Sequence, residues 1–396
     1  MAHPPGFAVW EYTRSRRPLR GLQGEHMEKS GLNLQTLRNK NKSLILYELN
    51  SNGEMSRKEL SARLSLTPAA VTKICAELIE EGLISQHGEI ENSGRSGRKE
   101  ILLSLRLSDK FTFGINAERN CVTYSVCDLS GKLYFSEVHE LMQNVETVIE
   151  VGKRFMSCVP ENIRQKIIAM GVCVIGNVGD TRFGVWQDSN IREKFEASFG
   201  LECVIENNVK AFALAELIYG NVPHGDAVLY FKWGPGVGSA FSSGGSVLSG
   251  GDSGVAEIGH YIVDPGGEKC RCGRYGCLET VASENAIIKA AGDNYSFEQI
   301  AASETSEFSV LLDHKIDTVA LALVNTATIL NAKKIVLFGS IFAYENIKRK
   351  LIKQCLRYDP NLKERIIKES DLNEKNGYIG TVAVCAEKFF FERDNA

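Results

Sequence analysis

The sequence contains no apolar run that approaches the ~18 residues a helix needs to cross a bilayer. No membrane-spanning segment is therefore expected. Net charge is also nearly absent: 46 lysines and arginines against 49 aspartates and glutamates leave a formal charge of -3. A chain so close to neutral has no general attraction for polyanions, so any contact with nucleic acid must come from a local patch.

A disulfide framework is absent as well. The eleven cysteines are an odd number, and several stand singly on apolar segments, namely Cys75, Cys127, Cys173 and Cys385. This usage favours a protein of the reducing cytoplasm. No internal repeat or low-complexity tract is found, and 396 residues with 43% hydrophobic content predict two or three globular domains.

The first 26 residues lack both a helical or strand period and the apolar segment of a signal peptide. They are rich in proline and arginine, and Met27 opens a conventional sequence directly afterwards. We expect residues 1–32 to be a disordered arm or the product of a start site placed too early. The fold is expected to begin at residue 33.

What the sequence does have is a cluster of metal ligands. His260, Cys270, Cys272 and Cys277 lie close together in a hydrophilic, glycine-rich stretch, and Cys3His is a standard ligand set for structural zinc. The alternative is three unrelated thiols in a flexible loop. Buried structural cysteines rarely cluster in such a stretch, so residues 260–277, here called the zinc loop, are predicted to hold one Zn2+ ion.

Residues 33–106 read as three helices followed by a hairpin. The helices are predicted over residues 34–50, over residues 57–64 after the capping box Ser56-Arg-Lys-Glu59, and from Pro68 to about residue 81. Strands are predicted over residues 84–86 and 100–105. This order is typical of a winged helix-turn-helix domain, in which the third helix enters the major groove.

The outward face of the third helix is small, polar or basic, which permits close approach to base edges. Basic residues also concentrate at the hairpin tip. The predicted DNA-binding residues are Thr67, Ala69, Ala70, Thr72, Lys73, Arg95, Arg98 and Lys99. The alternative is a helical domain that contacts protein, and the acidic residues Glu77, Glu80 and Glu81 support that alternative.

From residue 111 onward strands alternate with helices, which predicts an α/β domain. Strands are expected over residues 111–116, 122–127, 132–140, 167–174, 227–231, 239–242 and 334–338, and helices over residues 209–219, 283–291, 315–330 and 344–356. The strand-rich pattern occurs twice. A first lobe over residues 111–225, completed by a C-terminal helix over 379–394, and a second lobe over 226–378 are expected.

The string Glu257-Ile-Gly-His260 followed by Cys-x-Cys-Gly-x3-Cys-Leu-Glu279 resembles the signature of the ROK (repressor, open reading frame, kinase) family. Together with an N-terminal winged helix, the chain is similar to the repressor branch of that family. The resemblance implies an actin-like, sugar-kinase-type fold with two lobes around a cleft. The predicted fold class is therefore multidomain, a winged helix-turn-helix followed by this two-lobed α/β domain with its zinc loop.

The resemblance also implies where the chain departs from the kinases. Their phosphate-binding Asp-x-Gly-Gly-Thr loop corresponds here to residues 114–120, which lack the glycines needed for close backbone approach. Their Glu-Asn-Asp motif reads Glu206-Asn207-Asn208 here, and an Asn amide cannot accept a proton at neutral pH. The chain is therefore expected not to be an enzyme.

By the same resemblance, a set of polar residues matches positions that contact sugar hydroxyls. The predicted sugar-binding residues are Gly176, Asn207, Asn208, Glu257, His260 and Glu279. For these residues the alternative is a purely structural role, bracing the zinc loop or capping helices. His260 is expected to bind zinc through one ring nitrogen and a hydroxyl through the other, and Glu279 could instead cap the helix that follows it.

The function predicted from the sequence is a sugar-responsive transcriptional regulator, a cytoplasmic repressor. It would bind operator DNA as a homodimer or homotetramer, because two half-sites require two heads at fixed spacing. Two alternatives remain open: an active sugar kinase carrying a DNA-binding head, and a regulator that senses a protein partner.

Overall fold

The computed structural model describes residues 34–90, 100–176, 186, 190–221, 225–248, 256–292, 294–303, 305–364 and 366–391. The N-terminal part, called the head, comprises residues 34–105. It contains α1 (Leu34–Asn52), β1 (Met55–Ser56), α2 (Arg57–Leu64), α3 (Pro68–Glu80), β2 (Ile84–Ile90) and β3 (Glu100–Leu105). The predicted residues 1–32 lie outside the described part of the chain.

The second and third helices of the head begin where the capping residues indicate. Ser56 and Glu59 form the capping box of α2, and Thr67 caps α3 with Pro68 in its first turn. The wing is larger than predicted, because β1 pairs with β3 and makes a three-stranded sheet in the order β1-β3-β2. The head therefore has a sheet edge as well as a helical layer around its core.

The first lobe is built on a five-stranded sheet in the order β6-β5-β4-β7-β8. Its elements are β4 (Phe111–Ala117), β5 (Cys121–Asp128), β6 (Leu133–Glu140), α4 (Val145–Cys158), α5 (Glu161–Arg164), β7 (Ile167–Val174), α6 (Ile191–Phe199), β8 (Cys203–Asn207) and α7 (Asn208–Tyr219). β4 pairs with β7 in parallel and with β5 antiparallel. The turn between β4 and β5 and the end of β8 therefore meet at one edge of the sheet.

The second lobe has a five-stranded sheet in the order β11-β10-β9-β12-β13. Its elements are β9 (Val228–Trp233), β10 (Val237–Ser243), β11 (Ser246–Val247), α8 (Leu278–Ala282), α9 (Glu284–Ala291), α10 (Phe297–Ala302), α11 (Ser306–Ile329), β12 (Lys334–Phe338), α12 (Glu345–Tyr358) and β13 (Ile366–Glu369). The apolar cluster of this lobe joins β9, β10 and β12 to the helices that cover the sheet.

One helical prediction for the second lobe and one for the C-terminus need correction. The helix expected over 283–291 is confirmed as α9, with Ser283 as its N-cap residue, and the short helix α8 that precedes it was not predicted. α11 begins at Ser306, nine residues before the expected start, with Thr305 as its N-cap residue. The α-helix expected over 379–394 is α13 (Ile379–Ala386), which continues as the π-helical segment Glu387–Phe391.

α7 and α13 lie where the two lobes meet. They pack against each other, and their apolar side chains share one cluster with residues from both sheets. Phe212 of α7 stacks on Phe338 of β12, with ring centroids 3.9 Å apart. The apolar clusters of the two lobes thus meet around α7 and α13. The end of the first sheet that carries the β4–β5 turn and the start of α7 faces the second lobe.

Candidate functional site

The four predicted zinc ligands come together in space. Their ligand atoms all lie within 4.8 Å of one another. Cys270 Sγ is 3.5 Å from His260 Nδ1, and Cys272 Sγ is 3.6 Å from Cys277 Sγ. A tetrahedron with zinc–ligand bonds of ~2.0–2.3 Å has edges of about 3.6–3.8 Å. The residues present therefore fit a tetrahedral Cys3His zinc centre.

Backbone geometry brings these ligands together. Isolated bridges join Ile262 to Cys277 and Lys269 to Tyr275, so the zinc loop folds back on itself as a small hairpin. Gly276 has φ of 64°, and an added Cβ would lie 1.4 Å from the carbonyl oxygen of Asp264. Only glycine satisfies both conditions, so this position is fixed by the path of the loop.

His260 reaches both the metal cluster and the space between the lobes. It ends the 3-10 turn Ile258–His260, which packs so closely on β10 that a Cβ at Gly259 would lie 2.1 Å from the carbonyl oxygen of Val237. Burial lowers the pKa of His260. The neutral imidazole is therefore favoured, and that is the form that binds a metal ion.

A cavity of about 180 Å³ lies between the lobes next to this cluster. All six predicted sugar-binding residues line it, together with charged residues from both lobes. The polar lining residues include Glu118, Arg119, Gly176, Asn207, Asn208, Lys232, Glu257, His260, Arg271, Arg274 and Glu279. The volume is below the ~300–1,000 Å³ typical of sites for drug-sized ligands, which limits the occupant to a small molecule.

Asn207 has a structural role as well as a place in the cavity wall. Its side-chain oxygen accepts hydrogen bonds from the backbone N–H groups of Val209 and Lys210, and thereby caps α7. Its Nδ2 donates to the carbonyl oxygen of Gly176 at 2.8 Å. An amide nitrogen has two donors, so this bond uses one of them. The purely structural role considered for Asn207 therefore accounts for its side-chain oxygen and for one of its two amide donors.

The amide of Asn208 belongs to a network that crosses the cavity. Its Nδ2 donates to Glu118 Oε1 at 3.2 Å. The same oxygen accepts from Lys232 Nζ at 2.6 Å. Glu118 follows β4 in the first lobe, whereas Lys232 lies on β9 in the second, and both side chains are largely buried. This ion pair joins the lobes across the floor of the cavity.

A second ion pair crosses beside the first. Arg119 Nη2 donates to Glu279 Oε1, and Glu279 Oε2 accepts from the backbone N–H of Val237 at 3.3 Å. Glu279 stands in the first turn of α8, but these contacts lead to β10 and to the other lobe rather than to its own helix. These hydrogen bonds do not cap α8, so they do not support the capping role considered for Glu279.

Glu257 is the other acidic residue in the wall. Burial raises the pKa of its carboxyl group, and Lys210 and Arg271 oppose that increase. A partly desolvated carboxylate gains from any donor that enters the cavity, since a ligand hydroxyl would replace the water it has lost. Glu257 and His260 flank one 3-10 turn, so both can face one ligand.

The sequence did not single out five charged lining residues. They are Glu118, Arg119, Lys232, Arg271 and Arg274. Arg271 and Arg274 lie inside the zinc loop, so their place beside the cavity could have been inferred from the motif. The other three depend on how the lobes dock, which no local pattern reveals.

In the head, α3 presents the predicted recognition face. Val71, Ile74, Cys75 and Leu78 are buried. Thr67, Ala69, Thr72 and Lys73 are exposed on the opposite side, and Ala70 is half-buried. The hydroxyl of Thr72 donates to the carbonyl oxygen of Pro68 at 2.8 Å. The predicted wing residues Arg95, Arg98 and Lys99 lie outside the described residues.

The acidic end of α3 has basic partners on α1. Arg38 pairs with Glu77, and Lys42 lies 3.3 Å from Glu77 and 2.5 Å from Glu81. These pairs reduce the negative charge that would repel phosphate. The acidic residues that supported a protein-binding head are thus largely explained by contacts within the head.

Comparison with known proteins agrees with this geometry. Residues 112–388 match the model of the ROK family. The chain belongs to the ROK family. Residues 38–85 match a winged helix-turn-helix DNA-binding model, so this ROK protein carries a DNA-binding head. The family resemblance and the predicted fold class are confirmed.

The similar curated proteins are transcription regulators. The chain is 26% identical over 358 residues to the DNA-binding transcriptional dual regulator NagC of Escherichia coli. The alignment covers 82% of this chain and 86% of that protein. It is 26% identical over 261 residues to the xylose repressor of Bacillus spizizenii, covering 63% of this chain and 67% of the relative.

Solved structures show the same fold. A ROK family transcriptional regulator described as a homologue of the Escherichia coli MLC protein covers 90% of this chain and 97% of its own, with 21% identity and a TM-score of 0.73. A ROK family glucokinase from Streptomyces griseus covers 70% of this chain and 99% of its own, with 20% identity and a TM-score of 0.60. Among the helices that the structure describes, none has the length and apolarity of a membrane span.

Proposed function

We propose that this ROK protein is a sugar-responsive transcriptional repressor. One observation carries the proposal: a helix with an exposed DNA-recognition face and an inter-lobe cavity lined by amide, carboxylate and imidazole groups belong to one chain. The head would bind operator DNA, and a sugar in the cavity would alter that binding. A coupling of ~1–3 kcal/mol, or roughly 5- to 150-fold in operator affinity, is typical of such proteins.

The proposed ligand is a monosaccharide. A small ring with several neighbouring hydroxyls needs donors and acceptors that converge from several sides. The residues proposed to contact it are Gly176, Asn207, Asn208, Glu257, His260 and Glu279, all of which line the cavity. The names of relatives suggest two first candidates, N-acetylglucosamine and xylose.

Sugar phosphorylation is not the proposed activity. By the family resemblance, Asn208 replaces the general base of the kinases, and its amide already donates to Glu118. A neutral amide does not remove a proton from a hydroxyl at physiological pH. Lys232 and Glu118 also neutralise each other across the same space. These contacts support ligand binding without catalysis.

Zinc is proposed as a structural cofactor held by His260, Cys270, Cys272 and Cys277. When bound, it would act as a cross-link, because four protein ligands leave no open coordination position. The cross-link would hold His260 and the neighbouring Glu257 in position at the cavity wall. We therefore expect zinc removal to weaken ligand binding, and we assign zinc no catalytic role.

The proposed operator complex contains two or four chains, since paired half-sites need paired heads. In each chain the wing residues Arg95, Arg98 and Lys99 would contact phosphate or the minor groove, and α3 would enter the major groove. The functional units proposed are the head over residues 33–106, a first lobe over 111–225 completed from 379 onward, and a second lobe over 226–378. The cytoplasm is the proposed location.

The test is a thermal-shift screen of the full-length, zinc-loaded protein against N-acetylglucosamine, xylose, glucose and their phosphates, each with and without ATP. One compound is expected to raise the unfolding midpoint independently of ATP, because it binds the folded state alone. The same compound should change the affinity for a DNA duplex that the protein selects from a randomised library.

Other outcomes separate the alternatives. A shift that requires ATP, together with steady ADP release, would replace the repressor by a sugar kinase with a DNA-binding head. No shift with any compound would remove the sugar assignment and direct attention to a protein signal. If the protein selects no duplex from the library, the DNA-binding half of the proposal is overturned.

A further inference from the structure

α7 has one end in the cavity and the other at the head. Asn207, its N-cap residue, and Asn208 and Val209, in its first turn, line the cavity. At the other end, Ile218 packs against the apolar cluster of the head. α7 is twelve residues long, a length of ~18 Å at 1.5 Å per residue.

The body of α7 is enclosed on all sides. The residues from Ala211 to Leu217 are all buried, including Glu216, which is 1% exposed. A helix packed all round cannot bend without opening cavities, each of which costs stability. A displacement of its first turn is therefore expected to move its last turn as well.

Movement of the lobes acts directly on α7. Phe212 stacks on Phe338 of the second sheet. Glu216 accepts a hydrogen bond from Ser370, which follows β13 of the same lobe. Although α7 directly follows a strand of the first lobe, it is thus fixed to the second lobe at two points. A change in lobe closure is therefore expected to shift the helix relative to the first sheet.

The far end of α7 is joined to the head by a specific hydrogen bond. Asn50 of α1 donates through Nδ2 to the carbonyl oxygen of Ile218 at 2.7 Å. Ile218 is in the last turn of α7, where carbonyl groups have no partner within the helix. The head therefore supplies a hydrogen-bond donor to the carbonyl end of the helix that begins at the cavity.

The connection between head and first lobe is attached to the same point. Tyr219, the last residue of α7, donates its hydroxyl to the carbonyl oxygen of Leu129 at 3.0 Å. Leu129 is fully buried in the head's apolar cluster, and its backbone N–H donates to Leu107 and Lys110 in the connecting segment. The end of α7 thus contacts both α1 and the segment that positions the head.

β7 also spans the two regions, since Ile168 packs on the head cluster and Ile175 lines the cavity. It is, however, hydrogen-bonded on both sides, to β4 and to β8. A central strand moves only with its whole sheet. α7 is not hydrogen-bonded into a sheet, so it is the element better able to carry a displacement from the cavity to the head.

We infer that α7 transmits the ligand state of the cavity to the head, and that the hydrogen bond from Asn50 to Ile218 is the contact through which the head receives it. The inference rests on the proposed function, because it presumes that the cavity ligand changes DNA binding. Asn50 is a positioning residue in this scheme: it is not among the residues that line the cavity, and its side chain donates to α7.

The variant Asn50→Ala removes the donor, and Asn52→Ala is its matched control. Asn52 lies on the same helix but is exposed, and its Nδ2 donates within α1 to Glu48. Three quantities are measured on full-length, zinc-loaded protein: the Kd for the compound that shifts the wild type in the screen, the Kd for the selected duplex, and the ratio of duplex Kd values with and without that compound.

The expected result is a loss of coupling alone. Asn50→Ala should bind the compound within about 2-fold of wild type, because the cavity is ~18 Å away. The ratio of duplex Kd values should fall from its wild-type value, typically between 5 and 150, to about 1. Asn52→Ala should keep the wild-type ratio.

Hydrogen exchange gives a readout that needs no DNA. In the wild type, the compound should change amide exchange in residues 45–52 and 106–110, and in Asn50→Ala that change should be absent while residues 208–215 still respond. Asn50→Asp is a second variant should the first fail to fold, because it keeps the shape and sets a carboxylate against the carbonyl oxygen of Ile218. It should uncouple at least as strongly.

The failures are distinguishable. Full coupling in Asn50→Ala, with wild-type exchange changes in α1, would overturn this inference and leave the proposed function standing. A wild-type protein that binds the compound but shows a ratio of 1 would overturn the proposed function and this inference together. Equal loss of coupling in Asn50→Ala and Asn52→Ala would assign the effect to α1 as a whole and overturn the specific role of Asn50.

Discussion

In the head, residues 34–105, three helices and a three-stranded sheet enclose an apolar cluster in which Ile45, Leu60 and Leu78 are inaccessible to solvent. In the zinc loop, residues 260–277, the backbone turns back on itself through isolated bridges, and Tyr261 and Tyr275 are 48% and 55% exposed. The head buries its large side chains, whereas the zinc loop leaves them in solvent. Burial stabilises the head, and ligation of the proposed zinc ion is expected to stabilise the zinc loop.

The two regions are therefore sensitive to different kinds of substitution. A core distributes its stability over many contacts, so single changes weaken it by limited amounts. A metal cluster concentrates its stability in four ligand atoms. The following predictions test this contrast, in descending order of effect.

The largest effect is expected from Cys272→Ser. Structural zinc contributes on the order of 10 kcal/mol of binding free energy in small zinc peptides, so loss of one thiolate should release the metal, lower the unfolding midpoint and abolish measurable sugar binding. The control is Cys158→Ser, an exposed cysteine on α4. Hydrogen exchange should rise in residues 261–279 and stay unchanged in residues 71–78. Full stability and sugar binding in Cys272→Ser would refute the structural role of zinc.

A smaller effect, about 2–5 kcal/mol, is expected from Leu78→Ala, because it leaves a cavity in the core of the head. Unfolding in urea should show this loss in zinc-loaded and chelator-treated protein alike, and DNA binding should weaken. Glu80→Ala, on the exposed face of the same helix, serves as control. A cost that disappears on chelation would show that the head depends on the metal, and the contrast would fail.

A pH test probes the buried body of α7, the helix that runs from the cavity to the head. Burial raises the pKa of Glu216 above its ordinary value of 4.5, while the hydrogen bond from Ser370 and the charge of Lys368 oppose the increase. The folded state therefore holds this proton more tightly than the unfolded state. The stabilising contribution is complete below pH 4.5 and is lost as pH rises through the raised folded-state pKa.

The measurement is the free energy of unfolding of wild type and Glu216→Gln between pH 4 and pH 7. Because the amide does not ionise, the variant should lose less stability than wild type as pH rises across that window. Glu80→Gln, at an exposed position, should follow the wild-type curve. Parallel curves for wild type and Glu216→Gln would show that the burial of this carboxyl group has no energetic consequence.

The smallest effect, about 1 kcal/mol, is expected from Ser56→Ala, which removes the N-cap of α2. The capping box is reciprocal, since Ser56 accepts from the N–H of Glu59 and its own N–H donates to the Glu59 carboxylate. The cost of Ser56→Ala and of Glu59→Ala should therefore be less than additive in the double variant. Strict additivity would mean that the two hydrogen bonds act independently.

Local patterns were enough to predict much of the fold. The bounds of α2, β7 and β12 follow from capping and apolar runs, and the clustering of the four proposed zinc ligands follows from their spacing in one loop. The resemblance supplied the polar residues that line the cavity. In each case the decisive residues are close in sequence or belong to a recognisable motif.

The contacts that join the regions were not predictable in this way. Glu118 and Lys232 are 114 residues apart, Arg119 and Glu279 are 160 apart, and Asn50 and Ile218 are 168 apart. Each depends on how lobes and head dock, which is decided by the sum of many burial contacts. A charged residue in a turn carries no local sign of its partner.

The fixed length of α7 also sets a phase between its two ends. Each residue advances an α-helix by ~100°, so one inserted residue would turn Ile218 away from Asn50 while the cavity end kept its place. Seven inserted residues would restore the orientation to within ~20°. In a chimera of this head with another sensor body, the junction must therefore lie outside residues 208–219. With a junction inside α7, both halves could fold correctly while the cavity end and the head end of the helix have the wrong relative rotation.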